Sequence, residues 1–399
     1  MVPATRHRPG QRSSPCRRRG ARRAQSTDRR PATAVVARRR RWRWPEQRTR
    51  PARVTLRSVH QVVPSLNPAD ALGRLTLQTR VALQQLGVDS SIFTDDPHDD
   101  LRAETRPLGE LAGTARGQAV LLHYAIASPA TDAAVGVDAR RGLIYYNITP
   151  EHWFGEVSRV NWERVRSARL QLPWLADAFE LGLAHSEFSR RDLVEAGFDV
   201  TGICPVTTEP PPRPATAGRP RHTVLAVGRV APHKRWEIAV RAVAAVRRHV
   251  PDIELELVGS SDEMEPYARA LDALALRLDA GLVMRGKVSD RELEAAYARA
   301  AALVLPSAHE GFGVPPLEAM ARGVPVVASH HGALPEVVGG AGLVCGDDPL
   351  EWAAAVERVL TDDTLSGELS RRGRERAAHF SPATLQRSLA TALAPWGLP

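Results

Sequence analysis

Two carboxylates frame a glycine turn in the stretch His309-Glu310-Gly311-Phe312-Gly313-Val314-Pro315-Pro316-Leu317-Glu318, and that turn runs straight into a predicted helix. A helix starting at Val314 leaves its first backbone N–H groups unpaired and carries partial positive charge at that end, so an anion docks there readily. Gly311 and Gly313 allow close backbone approach. Pro315 and Pro316 fit the first helical turn, where a missing N–H costs nothing, and Gly323 stands just past the end as a stop signal. Glu318 then falls about one turn in, facing the helix mouth, while Glu310 follows the predicted strand Ala302-Leu303-Val304-Leu305. Either acid alone reads as a cap or a salt-bridge partner. Their spacing around an anion-binding helix start predicts a site for a phosphate-bearing sugar.

A second element supplies cations. Val224-Leu225-Ala226-Val227 reads as a buried strand, followed by Gly228-Arg229-Val230-Ala231-Pro232-His233-Lys234. Each charge-assisted contact from Arg229 or Lys234 to a phosphate contributes about 1.5–3 kcal/mol when desolvated, and arginine grips two oxygens at once. Lysine is rare here: the chain has only Lys234 and Lys287 among its 54 basic residues, so Lys234 departs from the compositional bias.

Strand-like and helix-like segments alternate twice along the chain, the pattern of two doubly wound parallel sheets. In the first half the strand-like segments are Arg53-Val54-Thr55-Leu56, Ala119-Val120-Leu121-Leu122, Leu143-Ile144-Tyr145-Tyr146 and Leu181-Gly182-Leu183-Ala184, with a helix near Asp70 to Leu86. The proline-rich stretch 209–221 breaks both periodicities and reads as a stiff linker. In the second half Ala239, Val243, Val246 and Val250 form one helical stripe, and Ser289-Asp290-Arg291-Glu292 is a capping box whose helix buries Leu293, Ala296, Tyr297 and Ala300. Tyr297 reads as packing.

At 399 residues the chain accommodates two domains with substantial cores. No run of 18 apolar residues suggests a membrane-spanning helix, and Cys16, Cys204 and Cys345 are too few and scattered for a disulfide framework or a zinc site. Cys204 and Cys345 read as small buried apolar residues in a reducing cytosol. The net charge of +9 is unevenly spread: residues 1–53 hold 18 arginines against Asp28 and Glu46, a local balance of +16, which leaves −7 for the remainder. Three readings of this basic tail stay open: disorder, an arm for anionic lipid or nucleic acid in which Trp42 and Trp44 seat at the surface, and a transit peptide.

Gly228-Arg229 to Lys234, Gly286-Lys287-Val288-Ser289-Asp290, Leu305-Pro306-Ser307 and the run from Glu310 to Ala328 together resemble glycosyltransferase family 4 over about residues 222–380. The first half resembles one branch of that family more loosely, through Val59-His60-Gln61-Val62, Asp70-Ala71-Leu72-Gly73, Tyr145-Tyr146-Asn147-Ile148-Thr149-Pro150 and Ser186-Glu187-Phe188-Ser189. The resemblance implies an α/β GT-B fold, two Rossmann-like doubly wound parallel-sheet domains facing a central cleft. Between the basic tail at 1–52 and the linker at 209–221, which composition gives, it further implies an acceptor-side domain at 53–208, and after the linker a donor-binding domain at 222–380 and a helix at 381–399 returning to the first domain.

The family's roles, carried onto matching positions, give Arg229 and Lys234 the pyrophosphate and Glu318 the ribose hydroxyls. Glu310 contacts the donor sugar, Gly228, Gly311, Phe312, Gly313 and Val314 complete the cradle, and the backbone near Lys287 and Val288 meets the base. On the acceptor side the candidates are Asp70, Gly73, His123, Tyr146 and Asn147. Tyr146 stands where this branch carries a histidine near the reacting sugar, and His123 at a neighbouring strand end is a candidate to compensate. A phenol of ordinary pKa about 10 donates a hydrogen bond but is a poor base at neutral pH. With no Asp-x-Asp motif, the reading is a metal-independent, cofactor-free transfer of a hexose from a nucleoside-diphosphate sugar with retention. The expected partners are that donor and an unidentified acceptor, in the cytoplasm or against an anionic inner membrane face; nucleic acid is not expected on this reading. Two alternatives stay open: a non-catalytic nucleotide-sugar binder, and anionic-surface or nucleic-acid binding through the tail.

Overall fold

The computed structural model describes residues 56–68, 70–208 and 222–397, so the tail at 1–52 and the linker at 209–221 lie outside the described residues. Two parallel sheets form among them. The first contains β1 (Val59–Val62), β2 (Ile92–Phe93), β3 (Thr105–Arg106), β4 (Ala119–Tyr124), β5 (Arg140–Tyr145), β6 (Leu181–Ala184) and β7 (Val200–Ile203), in the order β3-β2-β1-β4-β5-β6-β7. The second contains β8 (Thr223–Val227), β9 (Glu254–Val258), β10 (Leu282–Gly286), β11 (Ala302–Leu305), β12 (Val326–Ser329) and β13 (Leu343–Cys345), in the order β10-β9-β8-β11-β12-β13. Every residue of β1, β4, β6, β11 and β12 is buried, as expected for strands covered by helices on both faces.

The strand order places the functional loops. In each sheet the order reverses direction beside the first strand, between β1 and β4 and between β8 and β11, and loops leaving the carboxyl ends at such a point part to form a crevice. The loops leaving β8 and β11 carry Gly228 to Lys234 and Pro306 to Glu310.

Eight helices bear on the site. They are α1 (Ala71–Gln85), α2 (Arg159–Ala178), α3 (Glu187–Ala196), α4 (Trp236–Val246), α5 (Asp290–Arg299), α6 (Val314–Ala321), α7 (Leu334–Val338) and α8 (Pro382–Leu393). Local chemistry explains their starts. Asp70 caps α1 by accepting from Gly73 N at 2.7 Å, the Ser289–Glu292 capping box is complete at α5, and α6 begins behind Gly313 at φ 108 with prolines in its first turn. Gly323 at φ 63 follows the last turn of α6. The carboxy-terminal α8 packs on α1 and β7, with Leu385, Leu389, Ala392 and Leu393 buried beneath it.

Three details differ from the sequence reading. Of the segment expected to open the first domain only Leu56 is described; it is buried outside any strand, and the first strand is β1, three residues on. Strand β4 runs past its apolar stretch, so His123 lies inside the strand with its ring nitrogens satisfied. Helix α4 ends at Val246, which leaves Val250 beyond it, half-buried against the core.

Candidate active site

Lys234 and Glu310 meet at the mouth of the second sheet, where Lys234 Nζ donates to Glu310 Oε1 at 2.5 Å with both side chains only 12% exposed. A short 3-10 turn, Pro232–Lys234, presents the lysine, and Arg235 at φ 52 reverses the chain into α4. Ser307 Oγ donates to the same Oε1 at 2.9 Å, while Oε2 of Glu310 has no protein partner among the described residues. The loop after β12 fixes the acid's backbone, since Ala333 N donates to Glu310 O at 2.9 Å and a Cβ on Gly332 would lie 2.6 Å from that oxygen. Gly228, at φ 147, brings its backbone beside Lys234, and a Cβ on Gly259 would stand 2.0 Å from Gly228 O. Contact excludes a side chain at Gly259, and the positive φ favours glycine at Gly228.

Arg229 lies near this pair, close enough to act on the buried His233. His233 is buried beside the pair and held well below the ordinary imidazole range, by burial first and then chiefly by the charge of Lys234, with Arg229 adding to it. Arg229 itself is 41% exposed and reaches Glu263 at 3.4 Å. Lys287 is exposed with no side-chain partner among the described residues, and Val288 packs partly against the core.

Glu318 sits in a second cluster. It is buried, at 7% exposure, and accepts from the Tyr297 hydroxyl through Oε2 at 2.8 Å and from the Arg74 guanidinium through Oε1. Tyr297 is therefore more than packing. Burial and the adjacent carboxylate raise its pKa well above the ordinary phenol value, so it stays a hydrogen-bond donor.

The glycine turn between the two acids touches the first domain. A Cβ on Gly311 would lie 2.7 Å from Asn147 Cβ and 2.8 Å from Tyr146 O, and Gly311 O accepts from Ser186 Oγ at 2.7 Å and Ser189 Oγ at 3.0 Å. Asn147, at φ 60, accepts from His309 Nε2 at 2.5 Å; burial lowers the His309 pKa to about 4, so that ring is neutral. The Phe312 ring points inward, edge-on to Phe380 at 5.6 Å. Tyr146 and His123 are joined at 2.8 Å beneath α1, and Tyr146 also reaches Leu72 O at 3.4 Å. Gly73 lies against the preceding loop, where a Cβ would meet Asn67 O at 1.9 Å.

The structure thus groups Gly228, Lys234 and Glu310, sets Tyr146 and Asn147 against Gly311, and places Glu318 across from α1. The sequence reading did not name Arg74, Ser307 or His309 as site residues. Ser307 had a signal in a motif that carries the resemblance, and His309 had one as the residue that opens the stretch His309 to Glu318. One group of metal-type ligands occurs among the described residues, His330, His331 and Asp347. Its carboxylate is already bound by Arg235 at 2.6 Å and His331 at 2.8 Å, so a protein cation holds the charge there.

Residues 221–362 match the family model of glycosyl transferases group 1. Among curated proteins, D-inositol 3-phosphate glycosyltransferase of Corynebacterium diphtheriae is 35% identical over 181 residues, 43% of this chain and 42% of that protein. The MMP alpha-(1->4)-mannosyltransferase of Mycolicibacterium hassiacum is 38% identical over 165 residues, 40% of this chain and 39% of its own length. The matched region thus spans less than half the length of these relatives. Among solved structures, sucrose-phosphate synthase from Thermosynechococcus elongatus superposes with a TM-score of 0.65 at 19% identity, covering 85% of this chain and 99% of that one. HepE of Anabaena in complex with UDP-glucose gives 0.63 at 21%, covering 85% and 99%. No helix among the described residues is long and apolar enough to cross a membrane. Residues 221–362, which span the second sheet, thus match glycosyl transferases group 1, and the chain as a whole has the GT-B fold.

Proposed function

We propose that the chain transfers a hexose from a nucleoside-diphosphate sugar to the hydroxyl of an acceptor, with retention at the anomeric carbon and without a metal ion. The observation that carries this reading is the Lys234–Glu310 pair at the carboxyl ends of β8 and β11, with Glu310 Oε2 left uncommitted beside an anion-binding helix start. Breaking the glycosidic bond puts charge on the departing diphosphate. Lys234, Arg229 and the amino terminus of α6 oppose that charge, and fixed donors of this kind stabilise a transition state without reorganising. Glu310 Oε2 accepts from a donor-sugar hydroxyl, Glu318 from the ribose, and the amides after Gly311 line the space between. Retention follows from same-face attack while the leaving diphosphate is held in place. The UDP-glucose bound to HepE of Anabaena supports a nucleotide-sugar donor on this fold.

Donor hydrolysis by the intact chain tests the proposal, with UDP-, GDP- and ADP-hexoses assayed with and without a chelator. Sugar release from one donor, unchanged by chelation and reduced at least about 100-fold in Glu310→Gln, is the expected result. Nucleotide binding without release in the presence of varied acceptors would instead favour a non-catalytic binder. Absence of nucleotide binding would remove the donor-site assignment.

A further inference from the structure

Glu318 is gripped from both domains, and the two grips differ in kind. Tyr297 lies wholly inside the second domain, and its ring is covered by the Arg322 guanidinium 4.9 Å from the ring centre. Arg322 is tied in turn to Glu294 and, through Nη1 at 2.9 Å, to the backbone oxygen of Glu318. Of the phenol's two acceptors, Glu318 Oε2 at 2.8 Å is much nearer than Pro315 O at 3.5 Å, so the hydroxyl holds the rotation of the carboxylate from below. Arg74 comes from the first turn of α1, 244 residues earlier in the chain, and its side chain is 30% exposed. It can reach Glu318 only while the two sheets face each other as they do here.

Each carboxylate oxygen accepts along two lone pairs, and each oxygen of Glu318 has one partner, so each keeps one position. Two adjacent acceptors match the two adjacent hydroxyls of a ribose. We propose that Tyr297 and Arg74 are positioning residues for ribose recognition by Glu318. Tyr297 sets the plane of the carboxylate, and Arg74 completes the site only when the domains are closed. This rests on the donor reading above and goes further, because it makes preference for a ribonucleotide over a deoxyribonucleotide depend on two residues that touch neither sugar nor phosphate.

The test is calorimetric binding of UDP and GDP, each against its 2′-deoxy counterpart, to the intact chain and to Tyr297→Phe and Arg74→Gln. The wild type is expected to bind the ribonucleotide about tenfold more tightly, the effect of one lost hydrogen bond to a charged acceptor. In both variants that ratio falls towards one through weaker ribonucleotide binding. Affinity for the 2′-deoxy compound, which keeps its 3′ hydroxyl, falls by less, and its retained binding also shows that the variants are folded. Donor turnover in the variants rises in KM with kcat within about twofold, as loss of ground-state binding requires. A ribose preference that persists undiminished in both variants overturns the inference and leaves the donor site intact. Failure of the wild type to bind either nucleotide overturns the donor reading and the inference together.

Discussion

At the scale of single residues, the direction of one hydrogen-bond chain decides what Tyr146 can do. Gln61 Nε2 donates to Ser90 Oγ at 3.1 Å, which turns its carbonyl towards His123 Nε2 at 2.8 Å. His123 must carry its proton there, so Nδ1 accepts from the Tyr146 hydroxyl at 2.8 Å. Thr76 is 3.3 Å from the same nitrogen, but its hydroxyl proton goes to Leu72 O at 2.8 Å. The phenol proton therefore points inward, and Tyr146 offers only acceptor lone pairs to a ligand. The arrangement requires a neutral His123, and burial, aided by nearby His185, lowers its pKa to about 3; burial also lowers His185 to about 4. Unfolded histidine titrates near 6.5, so below that pH the unfolded chain takes up protons that the fold refuses. Stability is complete above about pH 7 and is lost as pH falls towards 4, by about 1.4 kcal/mol per pH unit for each such ring. Urea midpoints at pH 7, 6 and 5 should show that slope, and His123→Gln should flatten it by one histidine's share whatever it does to stability at pH 7.

At the scale of elements, glycines in the first sheet decide where the carboxy-terminal helix can lie. A Cβ on Gly202 of β7 would stand 2.6 Å from Ala392 Cβ of α8, and one on Gly142 of β5 would stand 2.9 Å from the Trp396 ring. Close approach of α8 to β7 is the reason for glycine at 202; at 142 a Cβ would also crowd Leu181 at 2.7 Å and Leu121 at 2.9 Å on the neighbouring strands. Gly202→Ala is expected to destabilise by about 1–3 kcal/mol through overpacking. Ala392→Gly costs about 1 kcal/mol alone yet should recover part of the loss when combined with it; denaturant midpoints of the double-mutant cycle measure the coupling. These elements also mark how far the sequence could be read. The span of β6, the capping box at Ser289 and the start of α6 were legible because each is written in residues a few positions apart. Lys234 was legible because lysine is rare in this chain, whereas Arg74 is one among many arginines. The contacts Asn147 to His309 and Arg74 to Glu318 join residues 162 and 244 positions apart. No local pattern encodes such pairings. They exist only after two sheets have folded and faced each other.

At the scale of the whole molecule, the cleft is held by contacts that each tie a site residue to the opposite domain. Glu263 accepts from Asn161 at 2.8 Å and Arg164 at 3.2 Å on α2, and also from the candidate phosphate ligand Arg229. Glu336 of α7 reaches the amino terminus of α3, accepting from Glu187 N at 2.8–2.9 Å and Phe188 N at 3.4 Å. That carboxylate satisfies N–H groups no helical carbonyl can reach and meets the positive end of the helix dipole. Neutralising it weakens closure without entering the donor site or either core. Glu336→Gln is therefore expected to leave the unfolding midpoint within about 0.5–1 kcal/mol of wild type, the scale of one exposed dipole contact. Its effect should fall on the population of the closed form instead. If donor binds only the closed cleft, apparent affinity scales with the closed fraction, and a fall in that fraction to about a tenth raises the nucleotide Kd about tenfold. Hydrogen exchange reads the same event directly: the amides of Glu187 and Phe188 should exchange faster in Glu336→Gln, and saturating nucleotide should restore their protection. Faster exchange with unchanged nucleotide affinity would mean that the donor is held by the second domain alone, and that closure serves the acceptor.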